Sequence, residues 1–367
     1  MRFGIAISNL SAYGGLQRDC LSISRNIVAA GHEVTILTTE IRGSIANPGC
    51  SIRIIEANNR TNPGRDLALG AALKAYRSNF DRMIGFNKLP MLDIYYSGDR
   101  SYAKIKKGAW RSFSPRYRTQ MRLEELCFAP GSHTRLIMLT ERQQDEYQSV
   151  WKTPEKRFRR ISPNLDSARR MPHLRTDGTR ERIRAALGIA SNTKVWLSIG
   201  SSAWVKGFDR AAAALDAFPD TIWVVVGVLP SGDMGSRLLQ NVATRARGRA
   251  KMLGIRQDIP AIMAAADVLI HPARIETTGT VIVEALANGL PVITTDTCGF
   301  APFVEKANAG VVITGSCSYR KLVEAIAKAR APGQLEVWSS RAEAFGADPS
   351  LSLGHEEAAR LFVGELW

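Results

Sequence analysis

Residues 268–285 read VLIHPARIETTGTVIVEA, and this stretch predicts a buried strand, a short loop and an apolar helix. Glu276 lies in the loop, Gly279 opens the helix, and Glu284 lies five residues into it. A helix N-terminus offers free N–H groups to a phosphate, and a carboxylate accepts hydrogen bonds from sugar hydroxyls. The stretch therefore indicates a site for an anionic, hydroxyl-bearing ligand. The alternative is structural: Glu276 caps the helix and Glu284 pairs with a buried arginine.

The same alternation of strands and helices runs through both halves of the chain. The first half opens with a strand at 2–8, a glycine loop, a helix-period pattern and a strand at 33–37. Strand-like runs in the second half recur at 194–199, 221–226, 268–270, 291–294 and 310–313. Residues 162–179 contain prolines and arginines without apolar periodicity, which is typical of an interdomain connection. The prediction is an α/β chain with two Rossmann-like, doubly wound parallel-sheet domains facing a cleft.

The composition narrows the class of partner. The chain has 367 residues, enough for two domains, and a formal net charge of +15. So basic a chain is expected to meet nucleic acid, an acidic membrane or a phosphorylated substrate. No apolar run reaches the roughly 18–20 residues that a membrane span needs. The five cysteines are scattered without metal-ligand spacing, so reduced thiols in a cytosol are expected.

Two further loops at strand ends carry glycines and charge. Gly14 and Gly15 precede Asp19 on the first predicted helix, and Lys206 lies in the loop after the strand at 194–199. Glycines let a backbone approach a ligand closely, and a lysine suits a diphosphate. A tight turn and a solvated lysine are the structural alternatives. No Asp-x-Asp pair, zinc-protease motif or Walker loop is present, so metal-dependent phosphate chemistry is not indicated.

A basic segment at about 100–125 interleaves arginines and lysines with aromatic residues. Its candidate binding residues are Lys104, Lys106, Lys107, Arg111, Arg116, Arg118 and Arg122. Basic residues beside interfacial aromatics suit an anionic membrane surface, and they would also suit RNA. A solvated helix face is the structural alternative.

The spacing of Glu276 and Glu284 resembles the E-x7-E motif of retaining GT-B glycosyltransferases of family 4. The loop GGLQRD at 14–19 and the run GFNKLPMLD at 85–93 are similar to the lipopolysaccharide core glucosyltransferases within that family. This resemblance implies the GT-B fold and a metal-independent retaining transferase without a cofactor. The implied reaction moves a hexose, expected to be glucose, from a UDP-sugar to an inner-core heptose of lipopolysaccharide. Another lipid-linked glycan as acceptor, or a nucleotide-sugar epimerase, remains the alternative.

The resemblance also implies roles for individual residues. Glu284 would bind the ribose, Glu276 the donor sugar, and Lys206 the leaving phosphate. Asp19 would contact the donor or acceptor sugar, and Asp99 stands where relatives place a polar residue near the reacting carbon. The residues implied for catalysis are Asp19, Asp99, Lys206 and Glu276. The residues implied for donor binding are Gly14, Gly15, Lys206, Glu276, Thr278, Gly279, Thr280 and Glu284.

The resemblance finally implies the domain plan and the partners. Residues 1–165 would bind the acceptor, 166–350 the nucleotide-sugar, and 351–367 would form a helix that crosses back to the first domain. The implied partners are a UDP-sugar, the phosphorylated inner core and the anionic cytoplasmic face of the inner membrane, with no nucleic acid. Val205 departs from the family pattern, because an arginine is usual before Lys206. The usual Pro-Pro-Gly turn is replaced at 162–164 by Ser-Pro-Asn.

Overall fold

The computed structural model describes residues 1–11, 14–43, 45, 49–56, 62–104, 114–228, 237, 244, 246 and 248–367. The chain divides into two units, Met1–Ser162 with Leu353–Trp367, and Pro163–Ser352. The bounds differ by two or three residues from the expected 165/166 and 350/351. The reason is local packing: the Leu165 N–H donates to the Leu351 carbonyl at 2.8 Å, and both side chains belong to an apolar cluster of the second unit.

The first unit opens with a strand, a helix and a second long strand, as the apolar pattern predicts. The strands are β1 (Arg2–Ala6), β2 (Leu10–Ser11), β3 (Glu33–Thr38), β4 (Ile41–Arg42), β5 (Ser51–Ile54), β6 (Arg82–Gly85), β7 (Ile94–Ser97), β8 (Arg135–Met138) and β9 (Phe158–Arg160). Among the described residues, seven of them pair in one sheet of order β5-β3-β1-β6-β7-β8-β9. Every pairing in this sheet is parallel. This order places the switch point of a doubly wound sheet between β1 and β6.

The helices of the first unit pack their apolar faces on this sheet. They are α1 (Gly15–Ala29), α2 (Asn62–Tyr76), α3 (Pro115–Phe128) and α4 (Glu141–Trp151). The helix-period pattern of Leu16, Cys20, Ile23 and Ile27 predicts that they share one face of α1, and this is confirmed: the last three are buried and Leu16 packs partly buried against the same apolar cluster. The helix Gly354–Val363 near the end of the chain packs on α1, because Leu361 and Phe362 join the same apolar cluster. Within the described residues, no helix is long and apolar enough to cross a membrane.

The second unit repeats the plan. Its strands are β10 (Lys194–Ile199), β11 (Thr221–Val226), β12 (Ala250–Met252), β13 (Val268–His271), β14 (Val292–Thr295) and β15 (Gly310–Ile313). Its helices are α5 (Thr179–Ala186), α6 (Phe208–Ala214), α7 (Ile259–Ala265), α8 (Thr280–Ala287), α9 (Ala301–Ala307), α10 (Tyr319–Ala329) and α11 (Gln334–Gly346); the chain's last helix, Gly354–Val363, is α12. The parallel sheet has the order β12-β11-β10-β13-β14-β15. Its switch point lies between β10 and β13, where the loops after these strands meet.

Candidate active site

The loops after β10 and β13 bring together two of the predicted site residues. Lys206 follows β10 and Glu276 follows β13, and the Lys206 Nζ donates a hydrogen bond to Glu276 Oε2. The two side chains keep 22% and 12% of their surface exposed, so a ligand can reach both. The strand order of the second unit explains why Lys206 and Glu276 lie together. At a switch point the helices that follow two neighbouring strands pack on opposite faces of the sheet, and a crevice forms between the two loops.

Glycines allow these two loops to approach closely. Gly207 has φ +72°, and a Cβ there would lie 1.9 Å from the Pro272 carbonyl oxygen. A Cβ at Gly200 would lie 2.8 Å from the Cγ of Lys206. The Arg274 N–H donates to the Val205 carbonyl at 2.8 Å and joins the loops directly. Lys206 can therefore lie against Glu276 because Gly200 and Gly207, before and after it in the chain, have no Cβ.

A buried histidine contacts the same glutamate. The Nε2 of His271 lies 3.3 Å from Glu276 Oε2, and the imidazole is wholly buried. His271 is not among the site residues predicted from the sequence. Its position at the last residue of β13, five residues before Glu276, is the signal that could have found it.

The electrostatics of this cluster keep Glu276 ionised. Burial alone would raise the pKa of Glu276, but the hydrogen bond with His271 and the charge of Lys206 outweigh it and lower the pKa to about 2. Burial would likewise lower the pKa of His271, but contacts with Cys298 and Glu276 outweigh it and raise the pKa to about 9. At neutral pH a carboxylate is thus held between two cations.

The start of α8 faces the same region of the second unit. Gly279 is the N-cap with φ +83°, and the first N–H groups of a helix have no partner within it. The Phe300 N–H donates to the Thr278 carbonyl at 2.7 Å and fixes the loop before the helix. The contacts of the Glu276 carboxylate among the described residues are with Lys206 and His271 rather than with the N–H groups that begin α8. Glu284 is half-buried on the second turn, with Thr280 one turn before it.

An exposed tryptophan borders the lysine loop. The Arg274 guanidinium lies 3.6 Å from the centre of the Trp204 ring and forms an ion pair with Asp209 at 2.5 Å. Trp204 itself is 47% exposed. Arg274 and Trp204 thus fix the flanks of the loop at Val205, the position where the family pattern expects an arginine.

In the first unit, Asp19 is held by two side chains. The Tyr96 hydroxyl donates to Asp19 Oδ2 at 3.0 Å, and His355 Nε2 lies 2.9 Å from Asp19 Oδ1. Gly14 is the N-cap of α1 with φ +112°, and Gly14 and Gly15 are exposed. The glycine turn therefore leaves an open backbone just before the helix that carries Asp19.

Asp99 follows β7 and is the most exposed of the predicted carboxylates. The hydroxyls of Tyr95 and Tyr147 donate to its Oδ1 at 2.7 and 3.0 Å. The Lys88 Nζ lies 3.1 Å from its Oδ2, and the Asp99 side chain is still 58% exposed. Three side chains therefore fix the orientation of the Asp99 carboxylate, and more than half of its surface remains open to solvent.

A buried ion pair supports this carboxylate. Lys88 Nζ donates to Glu124 Oε2 at 2.8 Å, with 4% and 0% of the two side chains exposed. Glu124 also accepts from Ser101 Oγ at 2.6 Å, and from Trp151 Nε1 at 2.9 Å. Sequence reasoning quoted Lys88 only within a family motif and missed Glu124, because nothing in one sequence signals that a glutamate on α3 is buried.

The basic segment is described in part. Lys104 ends the short 3-10 helix Tyr102–Lys104 and is exposed. The exposed basic residues of α3 are Arg116, Arg118 and Arg122. Lys106, Lys107 and Arg111 lie outside the described residues. Beside α3 is a groove of about 790 Å³, lined among others by Tyr117, Met121, Arg122, Leu126 and Trp151.

The predicted site residues therefore form two groups, one in each unit. Lys206 and Glu276 touch each other in the second unit, beside the start of α8. Asp19 and Asp99 lie in the first unit, where a Cβ at Gly98 would be 2.4 Å from Leu16 Cδ1, so the two segments are close. Within the described residues, no group of three or more His, Cys, Asp or Glu side chains is arranged to hold a metal ion.

Comparisons with known proteins place this arrangement in a family. A family model described as "Glycosyl transferases group 1" matches residues 179–343. The lipopolysaccharide glucosyltransferase WaaG of Escherichia coli K12 is 32% identical over 362 residues, which cover 96% of this chain and 96% of that protein. The chain belongs to the group 1 glycosyltransferases. The family resemblance predicted from Glu276, Glu284 and the glycine loop is confirmed.

Solved structures support the fold of this glycosyltransferase. A crystal structure of WaaG, described as a glycosyltransferase involved in lipopolysaccharide biosynthesis, matches with a TM-score of 0.89 at 31% identity. The match covers 99% of this chain and 100% of that chain. Anabaena HepE in complex with UDP-glucose has a TM-score of 0.74 at 18% identity over 100% of both chains, a likeness of fold alone. The predicted GT-B class, with two Rossmann-like parallel-sheet domains, is confirmed.

Proposed function

We propose that this glycosyltransferase moves a hexose, expected to be glucose, from a UDP-sugar to an inner-core heptose of lipopolysaccharide. The observation that carries the proposal is the contact of Lys206 with Glu276 beside the N-terminus of α8. It occurs in a chain that is 32% identical to a lipopolysaccharide glucosyltransferase over 96% of both lengths. The contact supplies a cation for a diphosphate and a carboxylate for a sugar in one place.

The donor side of the reaction follows from where charge develops. Breaking the anomeric bond leaves negative charge on UDP and a sugar with oxocarbenium character. The positive end of α8 and the ammonium of Lys206 stabilise the leaving diphosphate. We expect Thr278, Gly279 and Thr280 to present N–H groups to it. Since these groups are part of the protein, the reaction as proposed needs no metal ion or other cofactor.

The two glutamates bind hydroxyls on either side of the diphosphate. Glu276 accepts hydrogen bonds from hydroxyls of the donor sugar, once Lys206 has turned to the phosphate. Glu284, on the second turn of α8, accepts from the ribose. The low pKa of Glu276, lowered to about 2 against the effect of its burial, keeps this carboxylate an acceptor at every physiological pH.

The carboxylates of the first unit act on the sugars that react. Asp99 is fixed by Tyr95, Tyr147 and Lys88 and remains open to a hydroxyl on its exposed side. Asp19 is fixed by Tyr96 and His355 and contacts the donor or acceptor sugar. We expect retention of the anomeric configuration by front-face attack, with a phosphate oxygen taking the acceptor proton. A covalent sugar trapped on a side chain would contradict this route.

The acceptor and its membrane account for the basic surface. Arg116, Arg118 and Arg122 are exposed on α3, and Lys104 is exposed at the end of the short 3-10 helix Tyr102–Lys104. Arginines bind phosphate groups bidentately, and clusters of basic residues bind anionic lipid surfaces. We therefore propose that α3 and the basic segment meet the phosphorylated inner core and the cytoplasmic face of the inner membrane, rather than nucleic acid.

One experiment tests the reaction. UDP release is measured over a panel of UDP-sugars, with and without heptose-terminated lipopolysaccharide, in EDTA. Acceptor-dependent release from one sugar is expected, with unchanged anomeric configuration in the product by NMR. Conversion of the donor without an acceptor would indicate an epimerase instead. If no UDP-sugar in the panel gives UDP release with this acceptor, the family assignment is unaffected and the acceptor is another glycan.

A matched binding experiment tests the donor site. The substitution Glu284→Ala is expected to weaken UDP binding by about tenfold or more, because it removes a charged hydrogen-bond acceptor. Glu305→Ala, an exposed glutamate on α9, serves as the control and should leave UDP binding unchanged. Equal UDP affinity in both variants would contradict the assigned site.

A further inference from the structure

His271 contacts the carboxylate of Glu276 from inside the protein. Its Nε2 lies 3.3 Å from Glu276 Oε2, the same oxygen that accepts from Lys206 Nζ. None of the His271 side chain is exposed, whereas Glu276 keeps 12% of its surface open. A substrate that enters the site can touch Glu276 and Lys206 but not the imidazole. His271 can therefore act on a ligand only through the glutamate.

We propose that His271 is a positioning residue that holds Glu276 ionised and oriented toward the donor sugar while Lys206 binds the diphosphate. The inference rests on the proposed function, in which Glu276 binds the sugar and Lys206 the diphosphate. It adds to that function a residue that selects the sugar-bearing nucleotide over the bare nucleotide.

Such a residue is needed because Lys206, one of the two cations beside Glu276 Oε2, is expected to leave it when the diphosphate binds. Lys206 has a flexible side chain that is 22% exposed, so it can turn to an incoming diphosphate. If Lys206 were the only partner of Glu276, its departure would leave a largely buried carboxylate unpaired, which costs free energy. The carboxylate would then turn with the lysine or take up a proton. His271 remains in contact with Glu276 when Lys206 leaves, and so it preserves an acceptor for the sugar hydroxyls.

The backbone around His271 is rigid enough for this role. His271 ends β13 and pairs with Thr294 in the neighbouring strand, whose Oγ1 donates to the His271 carbonyl at 3.0 Å. Thr294 Oγ1 also lies within hydrogen-bond distance of Cys298 Sγ, at 3.2 Å. A parallel backbone bridge joins Glu276 to Cys298. The strand and both flanking loops thus fix the histidine and the glutamate relative to each other.

The groups that face the imidazole favour its charged form. They are the Glu276 carboxylate, which also faces Lys206, and the Cys298 thiol. Burial alone would lower the pKa of His271, but these contacts raise it to about 9. At neutral pH His271 is therefore a charged donor to Glu276, which a neutral apolar residue of similar size cannot replace.

The test compares His271→Phe with Ser198→Ala. The first keeps a buried ring and removes the hydrogen bond and the charge. The second removes two buried hydrogen bonds of Ser198 Oγ, one to the carbonyl of Ile270 on the same strand as His271 and one from Trp223 Nε1, without touching Glu276. Affinities for UDP and for UDP-glucose are measured by calorimetry at pH 7. His271→Phe is expected to weaken binding of UDP-glucose by about tenfold and of UDP by less than about twofold, since Glu276 loses the partner that holds its charged contact to the donor sugar.

The control and a double variant separate the possible failures. Ser198→Ala should change the ratio of the two affinities by less than about twofold. In a Glu276→Gln background, His271→Phe should add less than about twofold. Equal weakening of both ligands by His271→Phe would make His271 merely structural and overturn the inference. So would an unchanged ratio, or full additivity with Glu276→Gln.

Failure of the proposed function has a different signature. If Glu276→Gln by itself leaves the ratio of the UDP-glucose and UDP affinities unchanged, the assignment of Glu276 to the sugar is wrong. If Glu276→Gln changes that ratio and His271→Phe does not, only the inference about His271 fails.

A second pair of variants decides the matter if His271→Phe does not fold. His271→Gln places an amide N–H near the position of Nε2, whereas His271→Asn is too short to reach Glu276. The glutamine variant is expected to keep most of the preference for UDP-glucose and the asparagine variant to lose it. Equal behaviour of the two would overturn the inference.

Discussion

At Gly207 the backbone itself holds the two donor loops together. Its φ of +72° is one that residues with a Cβ rarely adopt, and the added atom would lie 1.9 Å from the Pro272 carbonyl oxygen. We expect Gly207→Ala to lower the free energy of unfolding by roughly 2–4 kcal/mol, because the left-handed conformation and the backbone clash both act. Urea denaturation measures the loss.

Gly333 provides a matched control for this substitution. It has the same φ of +72°, but no atom lies within 4 Å of its added Cβ. Gly333→Ala should therefore cost only the conformational part, about 1–2 kcal/mol. Equal losses at Gly207 and Gly333 would mean that the approach of the Lys206 and Pro272 loops is not tight.

The ion pair of His271 with Glu276 makes stability depend on pH. The pKa of His271 is raised from 6.5 to about 9, so its contribution is fully present below pH 6.5 and is lost as pH rises through 9. The pKa of Glu276 is lowered from 4.5 to about 2, so its contribution is present above pH 4.5 and is lost as pH falls through 2. Both contributions are complete between pH 4.5 and 6.5.

We therefore expect His271→Phe to lower thermal stability most in that window. The loss should be on the order of 2 kcal/mol, and it should shrink as pH rises from 6.5 to 9. Thermal melting of the wild type and the variant over this pH range provides the measurement. A difference in melting temperature that stays constant up to pH 9 would show that the imidazolium does not stabilise the fold.

Single residues of the site differ in how far sequence predicts them. Glu276 and Lys206 follow strands in glycine-bearing loops, and this local pattern is visible without a structure. Glu124 is a buried polar residue whose partner Lys88 is 36 residues away, and His271 is buried beside Glu276, five residues along the chain. Burial and pairing are tertiary properties, so one sequence does not separate such residues from ordinary core or surface residues.

Among the elements, α3 carries the proposed acceptor and membrane surface. The combined substitution of Arg116, Arg118 and Arg122 by glutamine should weaken binding to anionic vesicles by on the order of tenfold to hundredfold, because each basic residue near a charged bilayer contributes attraction. The effect should decrease as salt is added. Sedimentation with vesicles of phosphatidylglycerol and phosphatidylethanolamine measures the binding.

A second triple variant controls for net charge. Arg320, Lys328 and Arg341 are exposed residues of the second unit, and their replacement by glutamine changes the charge equally. This control should bind the same vesicles as the wild type does. Similar losses in the two triple variants would indicate non-specific attraction by the +15 chain rather than a surface on α3.

Elements with strong apolar periodicity were predicted, and weak ones were not. The helix α1 and the strand β10 have clear patterns that local sequence determines. The strand β12 is three residues long, Ala-Lys-Met, and no residue of it is fully buried. It exists because it pairs with β11, so its conformation comes from the neighbouring strand rather than from its own residues.

For the whole molecule, the residues implied for donor binding, apart from Gly14 and Gly15, belong to one unit. Lys206, Glu276, Glu284 and the start of α8 lie within Pro163–Ser352, which has its own apolar clusters. We expect a chain of residues 163–352 to fold and to bind UDP within about threefold of the full chain, because a unit with its own core can fold alone. Circular dichroism measures whether this chain folds, and calorimetry measures its affinity for UDP.

A chain of residues 1–352, without the last fifteen residues 353–367, provides the complementary test. Its missing helix α12 buries Leu361 and Phe362 against α1, so the first unit should be destabilised while UDP binding persists. Loss of UDP binding in the 163–352 chain, with folding intact, would mean that the nucleotide site needs residues of the first unit.

The sequence by itself determined the α/β class, the two repeats of strand and helix, and the loops that carry Lys206 and Glu276. Local periodicity and glycine placement are properties of neighbouring residues, so they can be read along the chain. Only the tertiary structure decided that residues 163–165 belong to the second unit, which side chains attach α12 to the first, and that His271 lies behind Glu276. The first two features depend on contacts between residues far apart in sequence. The third depends on the burial of both side chains, which replaces water by protein and so sets packing and charge.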